Sequence, residues 1–278
     1  MYDGRHTPSS ARNTGSMIVV TGASGQVGGR VTKLLQRPHA LLVRDPAKAP
    51  QTDKELKFAD YSDTAAMTAA LEGAETLFLV SGREDPNRLA QHKSAIDAAV
   101  QAKVQRIVYL SFAGAAKDCT FTFGRDHWYT EQYIRETELA FTFLRDNMYL
   151  EMIPRLADEH GVIRGPGGDG RVAAVSYDDI AASVVAVLDE PQQHDGKTYT
   201  LTGPEAFSLQ EAAEKLRLRY VPETVEEAYA SRAHYGAPDF EVAGWVTSYQ
   251  AIANGELAEV TDHVERLTGR RPKELRGV

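Results

Sequence analysis

The chain has 278 residues, 42% of them hydrophobic and 25% charged, with a formal net charge of −8 and one cysteine, Cys119. These values allow a buried core of useful size, in one large domain or a domain with a modest lobe. They exclude a disulfide-stapled scaffold. They offer no concentrated Lys/Arg footprint for nucleic acid, and no apolar run approaches the roughly 18 residues of a membrane span.

Because Cys119 has no partner for a disulfide, a reducing, cytoplasmic setting is expected. Cys119 itself reads as a small loop residue. The stretch MYDGRHTPSSARNTGS, residues 1–16, lacks the apolar segment of a signal peptide. It reads as a disordered leader or tag remnant, with Met17 as a natural start.

From there apolar runs alternate with helical patterns. MIVVTG (17–22) predicts a strand, and QVGGRVTKLLQR (26–37) a helix with Val27, Val31, Leu34 and Leu35 on one side. ALLV (40–43) is a second strand. TAAMTAALEG (64–73) is a helix closed by Gly73. ETLFLVS (75–81) is a strand, and NRLAQHKSAIDAAVQA (87–102) a helix turning Leu89, Ile96 and Val100 inward. RIVYLS (106–111), HWYTEQYIRETE (127–138) and FTFLR (141–145) follow as strand, helix and strand. Continuous apolar strands of this kind, each followed by a helix, belong to a parallel sheet buried on both faces. The fold class is therefore α/β, a doubly wound parallel sheet of Rossmann type.

The pattern changes near residue 146. HGVIRGPGGDGR (160–171) holds five glycines and a proline and reads as a loop or hairpin. VAAVSYDDIAASVVAVLDEP (172–191) is a strand end and a long apolar helix, with Asp178 or Asp179 placed to cap it. KTYTLTGP (197–204) is one more strand. SLQEAAEKLRLR (208–219) is a helix whose Ser208 and Glu211 form a capping box. The last sixty residues read as helical and amphipathic. The expected division is a Rossmann core over 17–145, completed by about 172–202. A smaller C-terminal substrate or lid lobe takes 146–171 and 203–278.

Between the first strand and the first helix stands Thr21-Gly22-Ala23-Ser24-Gly25-Gln26-Val27-Gly28. Gly22 permits a tight turn, Gly25 lets backbone approach a pyrophosphate, and Gly28 lets the helix pack close to the sheet. The free N–H groups of the helix start then face the anion. The second strand ends in Val43-Arg44-Asp45, where the adenine ribose meets such a sheet. An acid there would bond the 2′-hydroxyl of NAD, and an arginine the 2′-phosphate of NADP, so Arg44 favours NADP. Asp60-Tyr61 falls where the third strand should end and is a candidate adenine contact.

The segments TGASGQVGG, LVRDPAKA, FADYSD, LFLVSG, IVYLSFAGA, RDHWYTEQYI, TFLRDNMYLE, VSYDDIAASVVAVL, YTLTGPEAFSLQEAA and GELAEVTDHVERLTGRRP, in this order, cover nearly all of residues 17–275. Together they resemble the NmrA-like atypical short-chain dehydrogenase/reductases, in the branch that holds type 2 NAD(P)H:quinone oxidoreductase and triphenylmethane reductase. The resemblance implies NADPH over the strand ends, against Gly22, Ala23, Ser24, Gly25, Gln26, Val27, Arg44, Asp60, Val80, Ser81, Gly82, Ser111 and Phe112. It also implies that His127, Asn147, Met148 and Tyr149 border the nicotinamide and substrate.

Typical short-chain dehydrogenases use Tyr-x-x-x-Lys, in which lysine lowers the pKa of the phenol. Here the residues four places after Tyr109, Tyr129, Tyr133 and Tyr149 are Ala113, Tyr133, Thr137 and Ile153, so that dyad is missing. His127, read as the start of the helix after the fifth strand, stands where isoflavone-reductase-like relatives hold a lysine. With Tyr149 it is the catalytic candidate, through titration near neutral pH. Phe112, Phe121, Phe123, Trp128 and Tyr149 are candidate walls of a flat apolar slot. No metal-ligand spacing is present.

Two functions follow from the resemblance. One is an NADPH-dependent reductase passing a hydride to a quinone or similar conjugated apolar acceptor. The other is an NAD(P)-binding redox sensor that signals to a protein partner without turnover. An epimerase or dehydratase would keep the missing dyad. The expected partner is a small apolar molecule, with no nucleic acid and no membrane, for a monomer or homodimer.

Overall fold

The computed structural model describes residues 17–276. The expected leader over 1–16 lies outside the described residues. In chain order the elements begin with β1 (Ile18–Val20), α1 (Gln26–Leu34), β2 (His39–Val43), β3 (Glu55–Phe58), α2 (Thr64–Leu71), β4 (Thr76–Val80) and α3 (Arg88–Gln101). Next come β5 (Arg106–Phe112), α4 (Thr122–Arg135), β6 (Ala140–Asp146), β7 (Val162–Gly165), β8 (Arg171–Val172), α5 (Tyr177–Asp189) and β9 (Lys197–Leu201). The remainder are β10 (Phe207–Ser208), α6 (Leu209–Lys215), β11 (Arg219–Pro222), α7 (Val225–Arg232), α8 (Asp239–Ala253) and α9 (His263–Thr268).

Seven strands form one parallel sheet in the order β3-β2-β1-β4-β5-β6-β9. The order reverses between β1 and β4, and such a switch point opens a crevice at the carboxyl ends of the strands. This is the expected Rossmann-type sheet. Alternate residues of each strand feed two cores. On one face Val20, Phe78, Leu110 and Leu144 pack under α1 and α5, with Val264 of α9. On the other, Val19, Leu77, Leu79, Tyr109 and Phe143 pack under α2, α3 and α4. Two small sheets, β8 with β10 and β7 with β11, stand apart with their own apolar clusters around Ile153, Phe207 and Ile252 and around Ile163 and Tyr249. Among the described residues no helix is long and apolar enough to cross a membrane.

Several local expectations are corrected. Leu34 and Val100 are 48% and 46% exposed rather than inward. Leu35 takes the inner place after α1, and the buried face of α3 carries Arg88, His92, Ala95 and Ile96. The segment 160–171 is not a hairpin, because β7 pairs in parallel with the distant β11. Ser176, not Asp178 or Asp179, caps α5: its hydroxyl accepts the Asp179 N–H at 3.0 Å. Helix α4 begins at Thr122, five residues before the expected start, which moves His127 into its second turn.

The N-terminus of α5 is also fastened from far along the chain. Asp179, fully buried, meets Arg270 at 2.6 Å and accepts the Lys273 backbone N–H at 2.7 Å, while Asp178 pairs with the Lys273 ammonium at 2.5 Å.

Candidate active site

The glycine turn is pinned from below. The Thr21 hydroxyl donates to the Phe78 carbonyl at 3.1 Å and accepts the Val80 N–H at 2.9 Å. The Tyr61 hydroxyl lies 2.6 Å from it and 2.7 Å from the Val80 carbonyl oxygen. Tyr61 thus braces the turn, and burial pushes its pKa up, so it stays a neutral phenol.

Gly22 has φ +61°, and a Cβ there would stand 3.0 Å from the Val80 side chain. At Gly28 a Cβ would sit 2.3 Å from the Gly22 carbonyl oxygen, so only glycine lets α1 start this close to β1. Ser24, Gly25 and Gln26 are exposed while Val27 is buried. No side chain caps α1, and its first turn holds no acid. The first N–H groups of a helix have no intrahelical acceptor. The Gly25 N–H is closed onto the Gly22 carbonyl at 2.8 Å, so the donors facing outward belong to the residues just after it.

A cleft of about 810 Å³ runs beside this turn, from Ala23–Gln26 past Arg30 and Lys33 to Lys48 and the 50–54 loop. A left-handed glycine, a backbone approach free of side chains and nearby cations fit the diphosphate of a dinucleotide.

Arg44 and Asp60 come together at the ends of β2 and β3, with the guanidinium 3.8 Å from the carboxylate, both largely exposed. Hydrogen bonds from Ser62 hold the Asp60 pKa below its usual range, helped by Arg44. At the end of β4 the Gly82 N–H donates to His92 Nε2 at 2.7 Å, and Arg88 Nε donates to the Gly82 carbonyl at 2.8 Å. Val80 joins the same apolar cluster as Val27 and Tyr149.

His127 is buried and both its ring nitrogens are engaged. Arg88 can only donate, so at 3.0 Å it makes Nε2 the acceptor. Nδ1 then carries the proton and donates to the Tyr109 hydroxyl oxygen at 2.9 Å. The same logic fixes His92. Its Nε2 accepts from Gly82, so Nδ1–H donates to Thr130 Oγ1 at 2.9 Å. Burial first, and then the Arg88 charge, holds the His127 pKa well below the usual histidine value and drops that of His92 to about 3. The expectation that His127 titrates near neutrality is therefore not met. It is a neutral imidazole under the wall of the site, 6.0 Å from the Phe112 ring.

Ser111 is fully buried and donates to Glu131 Oε1 at 2.6 Å. Arg145 grips the same carboxylate through both oxygens, at 2.8 and 2.6 Å. Asn147 is likewise tied down, its amide to the Leu257 carbonyl at 3.0 Å and its oxygen to the Met148 N–H at 2.7 Å. Asp146, at the end of β6, is sealed, and burial raises its pKa well above that of a free carboxyl. Tyr149 is half-buried, its ring tilted against that of Tyr177 with centroids 4.6 Å apart.

Phe112, Phe121 and Phe123 form a continuous ring cluster, with centroids 5.1 and 5.7 Å apart, and Phe240 from α8 extends it at 6.4 Å, Phe112 and Phe123 being buried. Trp128 is turned elsewhere on α4, against Tyr129. Sequence reasoning missed Arg88, His92, Tyr109, Glu131, Arg145 and Asp146. The available signal was polar residues inside otherwise apolar strands, as in FTFLRD.

The family described as NAD(P)H-binding matches residues 22–191. The NAD(P)H azoreductase of Xenophilus azovorans is 32% identical over 270 residues, which are 91% of this chain and 93% of that protein. The crystal structure of an Escherichia coli NADPH-dependent quinone oxidoreductase complexed with NADPH superposes with a TM-score of 0.86 at 32% identity, covering 93% of this chain and 97% of that one. Triphenylmethane reductase of Citrobacter sp., complexed with NADP(H), superposes with a TM-score of 0.80 at 28% identity, covering 92% and 96%. The glycine turn at the switch point of a parallel sheet accords with these findings, and the chain belongs to the NAD(P)H-binding family as an NAD(P)H-dependent oxidoreductase.

Proposed function

We propose that the chain is an NADPH-dependent reductase that passes a hydride to a quinone or a similar flat, conjugated, apolar acceptor. The observation that carries this reading is the aromatic wall Phe112–Phe121–Phe123, which stands at the strand ends beside His127 and Arg88. An electron-poor ring needs only positioning, exclusion of water and a proton. The relatives named for quinone and azo compounds support the same acceptor class. In this reading residues 146–171 and 203–278 form the acceptor lobe.

The exposed amides that open α1 hold the diphosphate. Arg44 turns from its weak pair with Asp60 to the 2′-phosphate, and Lys48 at the cleft adds to it. The bound nicotinamide supplies the hydride. His127 serves as a positioning residue, keeping Arg88 and the Phe112 wall in place, rather than as a proton source. Val27, Val80 and Tyr149, which share one apolar cluster, set the floor below the glycine turn.

The test follows nicotinamide absorbance with purified protein, NADPH and a panel of quinones, beside a calorimetric titration of NADPH and NADH. Acceptor-dependent oxidation with tighter NADPH binding supports the reading. Tight binding without oxidation across the panel would replace it with the redox-sensor function.

A further inference from the structure

Arg30 stands on the second turn of α1, four residues after Gln26, so the two side chains share one face of the helix. Its Nη1 donates to the Gln26 carbonyl oxygen at 2.8 Å and to Gln26 Oε1 at 2.7 Å. A guanidinium can only donate, so the Gln26 amide is held with its oxygen toward Arg30 and its Nε2 hydrogens turned away. Gln26 is exposed, opens α1 and lines the cleft beside the glycine turn. Among the described residues its Nε2 meets no acceptor.

Arg30 is itself held on two further sides. Its Nε donates to Asp178 Oδ1 at 2.8 Å, and the Lys273 ammonium donates to Asp178 Oδ2 at 2.5 Å. The guanidinium lies over the Tyr177 ring, 5.2 Å from its centroid, and that ring tilts against Tyr149 at 4.6 Å. Tyr177 and Asp178 belong to the first turn of α5, and Lys273 to the tail after α9. Helix α1, helix α5 and the tail therefore meet at one guanidinium. The side chains of Arg30, Asp178 and Lys273 are each a third to a half exposed, and ion pairs in that setting add little to stability. The consequence of the arrangement is where it aims Gln26.

We propose that Arg30 is a positioning residue for the coenzyme: it aims the Gln26 side-chain amide at the diphosphate, and its tie through Asp178 to Lys273 fixes that aim. The inference rests on the reading above in which the start of α1 holds the diphosphate. There Gln26 Nε2 adds a side-chain donor to the backbone amides. A glutamine locked before the ligand arrives loses less rotamer freedom on binding than a free one. The diphosphate is common to NADPH and NADH, so the effect is equal for the two, unlike that of Arg44 on the 2′-phosphate. Two cations share one carboxylate here, and the test must separate their charge from the aim of the amide.

The test is calorimetric titration of the full-length protein with NADPH and with NADH, comparing wild type, Gln26→Ala, Arg30→Met, the double variant and Asp178→Ala. Q26A should weaken both nucleotides about tenfold, the scale of one hydrogen bond to a charged group. R30M should weaken both about fivefold while Tm stays within a degree or two of wild type. In the double variant the loss should stay near tenfold, because an arginine that acts through Gln26 has nothing left to position. D178A should weaken both about twofold, although it removes a negative charge beside an anion. A double variant weakened about fiftyfold, the product of the single losses, means that Arg30 acts by its charge and overturns the proposal. So do R30M at wild-type affinity, a loss confined to NADPH, and D178A that binds as well as wild type or better. Should R30M fail to fold, Arg30→Gln takes its place in the same cycle. A wild type that gives no heat with either nucleotide overturns the coenzyme reading as well.

Discussion

The sharpest test of the glycine turn is Gly28→Ala. A methyl at residue 28 would stand 2.3 Å from the Gly22 oxygen, 2.6 Å from its carbonyl carbon and 2.9 Å from the Thr21 oxygen, all inside the 3.4 Å at which ordinary contact begins and the nearest by more than an ångström. All three atoms are backbone, so no side chain can swing aside. The Gly22 oxygen is also the acceptor that closes the turn onto the Gly25 N–H. Overpacking against such a wall costs about 1–3 kcal/mol, and a lost turn hydrogen bond about 1 more. Alanine returns about 1 kcal/mol of helix propensity. The net is about 2 kcal/mol, or roughly 4–8 °C in Tm for a domain of this size. NADPH affinity should fall at least about tenfold, because the displaced carbonyl drags the first-turn amides with it. Gly25→Ala is the contrast. Gly25 has φ −90°, and its added Cβ meets only the Gly22 oxygen, at 3.2 Å. That variant should melt within a degree or two of wild type yet lose NADPH affinity comparably. Differential scanning calorimetry and isothermal titration provide both numbers. If Gly28→Ala keeps wild-type Tm and affinity, the argument from the turn is wrong.

Glu131→Ala leaves Arg145 without its bidentate partner and Ser111 without an acceptor, and should destabilise the fold by about 3–5 kcal/mol, read as a fall in the urea midpoint. His92 has its folded pKa lowered to about 3, from 6.5, so the unfolded chain binds the extra proton between those values. Its contribution to stability is complete above pH 6.5 and is lost on acidification, at a slope of up to about 1.4 kcal/mol per pH unit. Burial depresses His127 in the same direction. In His92→Gln, urea melts across that range should show a flatter acid slope, and an unchanged slope would assign acid lability elsewhere. Arg44→Ala should weaken NADPH binding about tenfold while leaving NADH binding nearly unchanged, since the lost partner is the 2′-phosphate. Equal losses for the two nucleotides in a calorimetric comparison would remove Arg44 from that role.

Much of the architecture was readable because its signals are local. The strand–glycine turn–helix unit at 18–34 needs only neighbouring residues, and so do the capping box of Ser208 and Glu211 and the left-handed Gly73 that follows α2. The failures are equally physical. Val100 is apolar at a solvent-facing position of α3, where periodicity alone placed it inward. The parallel pairing of β7 with β11 joins residues more than fifty positions apart, and the glycines between 160 and 171 gave no hint of it. The polar machinery around His127 was hidden for the same reason. Arg88, Tyr109 and His127 meet only once α3, β5 and α4 are stacked, and the cation that adds to burial in holding the His127 pKa down comes from a residue 39 positions away. Asp146 was passed over because an aspartate after a strand reads as a loop residue until its burial is known.

The fastening at the head of α5 bears on how the molecule is made. Asp179 finds its countercharge and its backbone donor only in residues synthesised some 94 positions later. Until Arg270 and Lys273 have emerged from the ribosome, a carboxylate destined for the interior stands without its countercharge, with only the Ser176 hydroxyl donating to it from nearby, at the start of the helix that covers β6 and β9. The nascent N-terminal half can collapse, but the last latch closes only after translation has passed that point. Premature termination before it should therefore yield a chain vulnerable to proteases, even though every residue of the glycine turn is already present.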